Sequence, residues 1–276
     1  MNIGILHPGE MGISIAAAAI INGHHVYWLA EGRSNKTLMR AEKHELHKIT
    51  SLAKLCENCD AIFSVCPPHA AEEVANSVMM AGFSGLYLDA NAISPKRART
   101  IGGKMETNGI DFVDGGIIGG PAWEPKGTCL FLSGIKAEHI SSIFSHGPLE
   151  TKVISDKVGK ASALKMCYAA YSKGTTALLS AVLATAEWNE VRDELYQQWD
   201  QDEDGFSEKT NQRTKRVTAK AWRFEGEMME IADTFDEAGL PNEFHKAAAK
   251  IYQRLNGFKH ETQIPELKDV LKALLQ

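Results

Sequence analysis

Short apolar runs alternate with segments of helical period through the first half of the chain. The runs fall at residues 2–6, 25–30, 61–66, 85–89 and 110–113, and the helical patterns at 11–22, 35–44, 70–79 and 96–108. Runs this short and continuous predict strands buried on both faces. Their alternation with helices predicts βαβ units in a parallel sheet covered on both sides. Two further strands are expected at 128–133 and 152–154, with 137–145 between them. After Ser155 the pattern changes. Residues 156–192 lack proline, are rich in Ala, Leu, Lys and Met, and predict one long helix or two in series. Residues 205–211 read as a loop. Residues 213–238 are helical again and stop at Gly239-Leu240-Pro241, a glycine stop followed by proline. Asn242 is expected to cap a helix over 243–255, and Pro265 to open a last short one. The expected architecture is an α/β domain over 1–152, a doubly wound sheet, and an all-helical domain over 153–276.

Composition narrows the class without naming it. Hydrophobic residues make up 44% and charged residues 24% of 276, an ordinary globular balance. The formal net charge of -5 argues against a nucleic-acid footprint. The longest apolar run, 13–21, is too short to cross a bilayer, and the first residues lack a basic leader region, so neither a membrane span nor a secretory leader is expected. Five cysteines without regular spacing argue against a disulfide framework and fit a reducing, cytoplasmic setting. Cys56 and Cys59 form a single C-x-x-C with no second pair at zinc spacing, so no metal is expected.

Chemistry concentrates where predicted strands end. The first run leads into Leu6-His7-Pro8-Gly9-Glu10-Met11-Gly12 and then an apolar helix. Strand, glycine turn and helix in that order form the entrance to a dinucleotide site. Gly9 lets backbone approach a pyrophosphate, Gly12 permits helix to pack on strand, and the helix N-terminus offers free N–H groups. His7 occupies the first glycine position of G-x-G-x-x-G. The second run leads into Ala30-Glu31-Gly32-Arg33-Ser34. Arg33 and Ser34 form a possible cradle for a 2′-phosphate, which favours NADP, while Glu31 in another register would meet the 2′-hydroxyl of NAD. A solvated loop arginine is the alternative for Arg33. Cys66-Pro67-Pro68 makes a stiff wall poor in N–H donors, suited to lie against a ribose or nicotinamide. Asp89-Ala90-Asn91 places an amide at the same edge, or else an Asx turn before the helix that Pro95 begins. The glycine-dense run 112–121 reads as exposed backbone that a small anion could approach, with a wide loop as the alternative. On the first helix of the second half, Lys165 follows Gly159, Ala161, Ser162 and Ala163. A lysine among small neighbours suits a general acid/base, and an amphipathic surface lysine is the alternative. Tyr168 and Ala169 share its helical face.

In this order the motifs resemble the β-hydroxyacid dehydrogenase superfamily, which includes 3-hydroxyisobutyrate and 6-phosphogluconate dehydrogenases. The glycine motif matches at Gly9 and Gly12, and D-x-[S/N]-x-x-x-P at Asp89, Asn91 and Pro95. D-x-x-x-x-G-G matches at Asp114, Gly119 and Gly120. G-x-G-x-x-x-K matches at Gly159 and Lys165, with Ala161 at its second glycine. The stretch 221–228 resembles a helical domain of a distinct branch of that superfamily.

The resemblance implies a Rossmann domain and a helical domain, with Lys165 as the acid/base and His7, Pro8, Gly9, Glu10, Met11, Gly12, Arg33, Ser34, Cys66, Pro67, Pro68 and Asn91 around the nucleotide. Asn91, Ile118, Gly119, Gly120, Trp123, Lys165 and Tyr168 would border the substrate, and Asn91 and Tyr168 would assist Lys165 in catalysis. The departures matter. Ile118 stands where the family has serine, and Tyr168 and Ala169 where it has asparagines. The family's lysine–aspartate pair falls on Gly226 and Glu227. These changes favour a bulkier, less polar substrate, and no basic cluster for a compact sugar phosphate is apparent. The expected activity is an NADP-preferring oxidoreductase on a hydroxyl or carbonyl substrate, with NAD possible. An imine reductase on the same fold and a non-catalytic nucleotide sensor are the alternatives. The helical half is expected to drive homodimerisation.

Overall fold

The computed structural model describes residues 1–259 and 261–276, in two compact units, Met1–Met166 and Cys167–Gln276. The sequence reading divides the chain at 152. The units divide later because the residues after that point are tied to the sheet, as described below.

The first unit runs β1 (Asn2–Ile5), α1 (Glu10–Ile21), β2 (His25–Leu29), α2 (Asn35–Lys43), β3 (His47–Ile49), α3 (Leu52–Asn58), β4 (Ala61–Ser64), α4 (Ala71–Met80), β5 (Leu86–Asp89) and α5 (Pro95–Thr107). It continues with β6 (Asp111–Gly119), β7 (Thr128–Ser133), α6 (Ala137–Ser142), β8 (Leu149–Ser155) and the start of α7 (Lys160–Ala169). The eight strands form one sheet in the order β3-β2-β1-β4-β5-β6-β7-β8. Every neighbouring pair is parallel except β6 and β7. Strand residues alternate between two cores. Ile3, Ile5, Phe63 and Leu88 bury into one; Ile62 and Tyr87 bury into the other. Each fully buried Ile, Leu or Phe contributes roughly 1.5–3 kcal/mol of transfer free energy, so both helix layers are held to the sheet.

Two elements depart from the sequence reading here. β3 was not foreseen, because two of its three residues are exposed and no apolar alternation marks it. The glycine-dense run is mostly strand. β6 extends to Gly119, and its pairing with β7, from Asp114↔Ser133 to Gly119↔Thr128, occupies backbone that was expected to lie open. Its glycines serve close packing: a Cβ on Gly116 would sit 2.5 Å from Ala161 O, and one on Gly115 3.0 Å from Leu88 Cδ1.

The second unit is helical. A π-helical turn, Ala170–Gly174, leads into α8 (Thr175–Trp188), followed by α9 (Arg192–Asp202), α10 (Phe206–Val217), α11 (Ala221–Glu237), α12 (Glu243–Arg254) and α13 (Leu267–Leu275). Residues 206–211, read as loop, are the first turns of α10. Gly205 takes a left-handed φ of 69°, and Asp200 then accepts Ser207 N at 2.9 Å and Ser207 Oγ at 2.6 Å. The cap comes from the preceding helix, where no local pattern shows it. The helix expected over 213–238 is broken at the 3-10 turn Thr218–Lys220. Asn242 precedes α12, but its side chain donates to Asp236 at 3.2 Å and makes no cap bond. Among the described residues no helix is long and apolar enough to cross a membrane.

Candidate functional site

In the first unit β1 lies between β2 and β4, so the strand order reverses there. Open α/β sheets bind ligands outside the carboxyl ends of their strands at such a point. The chain leaving β1 makes the glycine turn. Gly12 has no alternative, since a Cβ there would lie 2.1 Å from His7 O. At Gly9, the N-cap position of α1, a Cβ would meet nothing within 4 Å, and no side chain caps the helix. Open space therefore faces uncapped helix-start N–H groups, the arrangement that accepts a phosphate.

Two side chains at this edge are left with unmet polar atoms. His7 Nδ1 and Arg33 Nε are both buried without a hydrogen-bond partner. Burial, then the charge of Arg33, pushes the His7 imidazole down to about 4, so it is neutral at physiological pH. Arg33 is half-buried, and burial lowers its pKa. Buried polar atoms are rarely left unpaired, and a polar ligand would satisfy both. Ser34 caps α2, accepting Thr37 N at 3.3 Å, and stays exposed. Glu31 and Glu10 are exposed, Pro8 is buried, and Met11 packs on the core beneath the turn. Arg40, which sequence reasoning missed, donates from Nη1 to Pro8 O at 3.2 Å. Only the return of α2 beside the turn brings it there.

At the ends of β4 and β5, Asn91 acts as a bracket. Its Oδ1 accepts Cys66 N at 2.6 Å, its Nδ2 donates to Ser64 Oγ at 3.1 Å, and its own N–H donates to Asp89 Oδ1 at 3.0 Å. It is 3% exposed. The bracket fixes the Cys66-Pro67 turn, with Pro67 exposed and Pro68 opening a 3-10 turn. Burial pushes the Cys66 thiol up to about 12, which keeps it protonated.

Asp89 Oδ2 is buried without a partner, and burial, with Asp114 adding to it, raises this carboxyl to about 7. A raised folded-state pKa means that the folded protein holds the proton more tightly than the unfolded chain. Stability from this group is therefore fullest below about pH 4 and is lost as pH rises through about 7. Asp89→Asn is expected to raise stability by about 1–3 kcal/mol at pH 8 and by roughly a third of that at pH 5. Thermal melts at the two pH values check this, and an equal gain at both would contradict it.

Asp114 organises the last part of the site. Its carboxylate accepts four hydrogen bonds: Ser133 Oγ at 2.8 Å, Gly159 N at 2.9 Å, Ser162 N at 3.0 Å and Ser162 Oγ at 2.5 Å. Ser133 Oγ accepts Ala161 N at 3.0 Å. A negative group thus stands at the start of α7, where free N–H groups favour it. These bonds tie residues 159–162 to the sheet and account for the late division between units. One turn further on, Lys165 Nζ donates to Ile117 O at 2.6 Å, so this lysine lies half-buried over the end of β6. The surface-lysine alternative does not describe it. Ser14, also missed, reaches from α1 to accept Ala122 N at 2.9 Å and holds the loop after Gly120. At Gly120 a Cβ would meet nothing within 4 Å, so open backbone in the glycine run is found here and not at Gly115 or Gly116. Ile118 pairs with Cys129 in the ladder. Trp123 stacks on His44 at the end of α2, with ring centres 5.0 Å apart. Tyr168, on α7, is 49% exposed.

The sequence profile of the NAD binding domain of 6-phosphogluconate dehydrogenase matches residues 2–146. The chain belongs to the β-hydroxyacid dehydrogenase superfamily. Within it, a domain of unknown function, DUF1932, matches residues 186–255. An uncharacterized 28.5 kDa protein from the 7S RNA 5′ region of Methanothermus fervidus is 32% identical over 196 residues, spanning 71% of this chain and 74% of that one. A conserved protein of unknown function, solved and found structurally similar to 3-hydroxyacid dehydrogenases, superposes with a TM-score of 0.68 at 25% identity over 99% of both chains. The 3-hydroxyisobutyrate dehydrogenase of Mycobacterium tuberculosis, solved with L-serine, gives a TM-score of 0.72 at 16% identity over 100% of this chain and 99% of that one, a likeness of fold.

The resemblance places the family's lysine–aspartate pair at Gly226 and Glu227, in the helical unit. Glu227 pairs with Lys173 of the π-helical turn. Lys173 Nζ also lies 4.3 Å from the Phe224 ring centre, and its carbonyl accepts Tyr252 OH at 2.7 Å.

Proposed function

We propose that this superfamily member is an NADP-preferring oxidoreductase acting on a hydroxyl or carbonyl substrate, with Lys165 as its general acid/base. The observation that carries the reading is the Lys165 ammonium held on Ile117 O at 2.6 Å by a helix that Asp114 clamps to the sheet. An amine positioned this way exchanges a proton with a substrate oxygen without first reorganising. The orphaned atoms of His7 and Arg33 and the open space at Gly9 fit a dinucleotide. The N–H groups of Glu10, Met11 and Gly12 would hold its pyrophosphate, Arg33 and Ser34 its 2′-phosphate, and the Pro67-Pro68 wall its nicotinamide side. When bound, the nicotinamide supplies or accepts the hydride. Glu10, beside the turn, opposes phosphate charge, and Arg40 and Arg33 offset it. Asn91 acts as a positioning residue, through the bracket that fixes Cys66-Pro67. Gly119, Gly120, Ile118 and Tyr168 border the substrate, giving a site less polar than one built with serine and asparagine. Trp123, stacked on His44, completes that border. The helical half forms a homodimer, and the protein works in the cytoplasm.

The test is NADPH and NADH titration of the wild type and of Arg33→Ala, followed by turnover on carbonyl and cyclic imine panels. Loss of one charge-assisted phosphate contact is expected to cut the preference for NADPH about tenfold or more. An unchanged preference would remove Arg33 from the cofactor site. Turnover confined to imines would overturn the carbonyl assignment, and NADPH binding with no turnover on either panel would leave a sensor.

A further inference from the structure

The helical unit holds a basic cluster away from the substrate motifs. Lys209, Arg213, Arg216 and Lys220 follow each other at helical spacing along α10 and the turn after it, and all four line one cavity of about 590 Å³. Val217 and Phe224 line it as well. That volume is of the size that takes small organic molecules. The chain carries a net charge of -5, so four cations around one hollow are a local concentration and not a general surface property.

The cations differ in what already holds them. Arg213 is docked into the fold, donating to Thr176 Oγ1 at 2.5 Å and to Ser172 O. Lys209 pairs with Glu203 at 2.9 Å. The acid of the lining, Glu208, accepts Gln212 Nε2 at 2.7 Å. Arg216 and Lys220 are exposed, and among the described residues neither forms a salt bridge. Two cations over an apolar floor recognise a charged head on an apolar body. We propose that this cavity binds a small organic anion, with its carboxylate or phosphate on Arg216 and Lys220 and its apolar part against Val217 and Phe224. The site lies within the helical unit and does not depend on the dinucleotide reading.

The test is calorimetric titration of the full chain with phenyl phosphate, phenylacetate, inorganic phosphate and benzyl alcohol. The aryl anions are expected to bind about tenfold or more tightly than inorganic phosphate or benzyl alcohol, because only they offer both charge and apolar surface. Whichever aryl anion binds more tightly identifies the head group. Arg216→Gln with Lys220→Gln is expected to weaken that binding about tenfold or more, and Lys220→Gln alone to weaken it less, with melting temperatures unchanged. Arg33→Ala is expected to leave it intact, which separates this cavity from the nucleotide turn. Failure of both aryl anions to bind at about 10 mM would overturn the proposal. So would unweakened binding in the double variant, or loss of binding in Arg33→Ala.

Discussion

Lys165→Ala is expected to lower turnover by roughly a hundredfold or more while changing NADPH affinity by less than about twofold. The contrast follows from where the side chain sits. Its amine lies on Ile117 O at the end of β6, whereas the residues proposed for the nucleotide follow β1, β2 and β4 in the chain. Truncation removes the proposed proton carrier and leaves the glycine turn untouched. It also removes one hydrogen bond to a backbone carbonyl, worth about 1 kcal/mol, so the melting temperature should fall only slightly. Steady-state kinetics on the best substrate of the carbonyl panel, with a cofactor titration beside it, checks both halves. A variant with near-normal turnover would take Lys165 out of the reaction. A parallel collapse of NADPH affinity would mean that the lysine serves the cofactor instead.

The second large effect is expected at Asp114. Asp114→Ala leaves Gly159 N, Ser162 N and two serine hydroxyls without their acceptor in a buried setting. The carboxylate is itself desolvated, which alone raises its pKa, and the four donors hold it in place. Removing one partner from such a cluster costs about 3–5 kcal/mol. For a chain of this length that corresponds to a fall in melting temperature of about 10 °C. Asp114→Asn keeps one acceptor oxygen and should recover part of the loss. Because α7 carries Lys165, turnover is expected to fall in Asp114→Ala even at temperatures where the protein stays folded. Melting curves followed by far-ultraviolet circular dichroism, with activity at 15 °C below the midpoint, separate the two effects. Full activity in a folded Asp114→Ala protein would show that Lys165 holds its place without the clamp.

Much of the first unit was readable because strand and helix periods differ and both helix layers cover the sheet. Ile3, Ile5, Ile62, Phe63 and Leu88 announce strands by continuous apolarity, and all are buried. The helical unit was read less well. The start of α10 depends on Asp200, seven residues earlier, and α9 has no buried residue to mark it. The site divides in the same way. Gly12 and Lys165 stand at positions that local order and spacing reveal. Ser14 and Arg40 do not, since their partners Ala122 and Pro8 are distant in the chain. The glycine run was legible as glycine-rich and misread as open, because glycine permits both an exposed loop and a close packing of backbone on helix.

The order of residues by itself determined the βαβ succession, the glycine turn and the lysine helix, since each rests on contacts within a few residues or on a simple period. The folded chain alone decided that Arg33 Nε is buried without a partner, that Asn91 brackets two strand ends, and that Asp114 anchors α7. Those outcomes come from desolvation and from hydrogen bonds between distant segments. A buried charge or amide takes its partners from whatever the sheet brings beside it, and no local pattern records that choice.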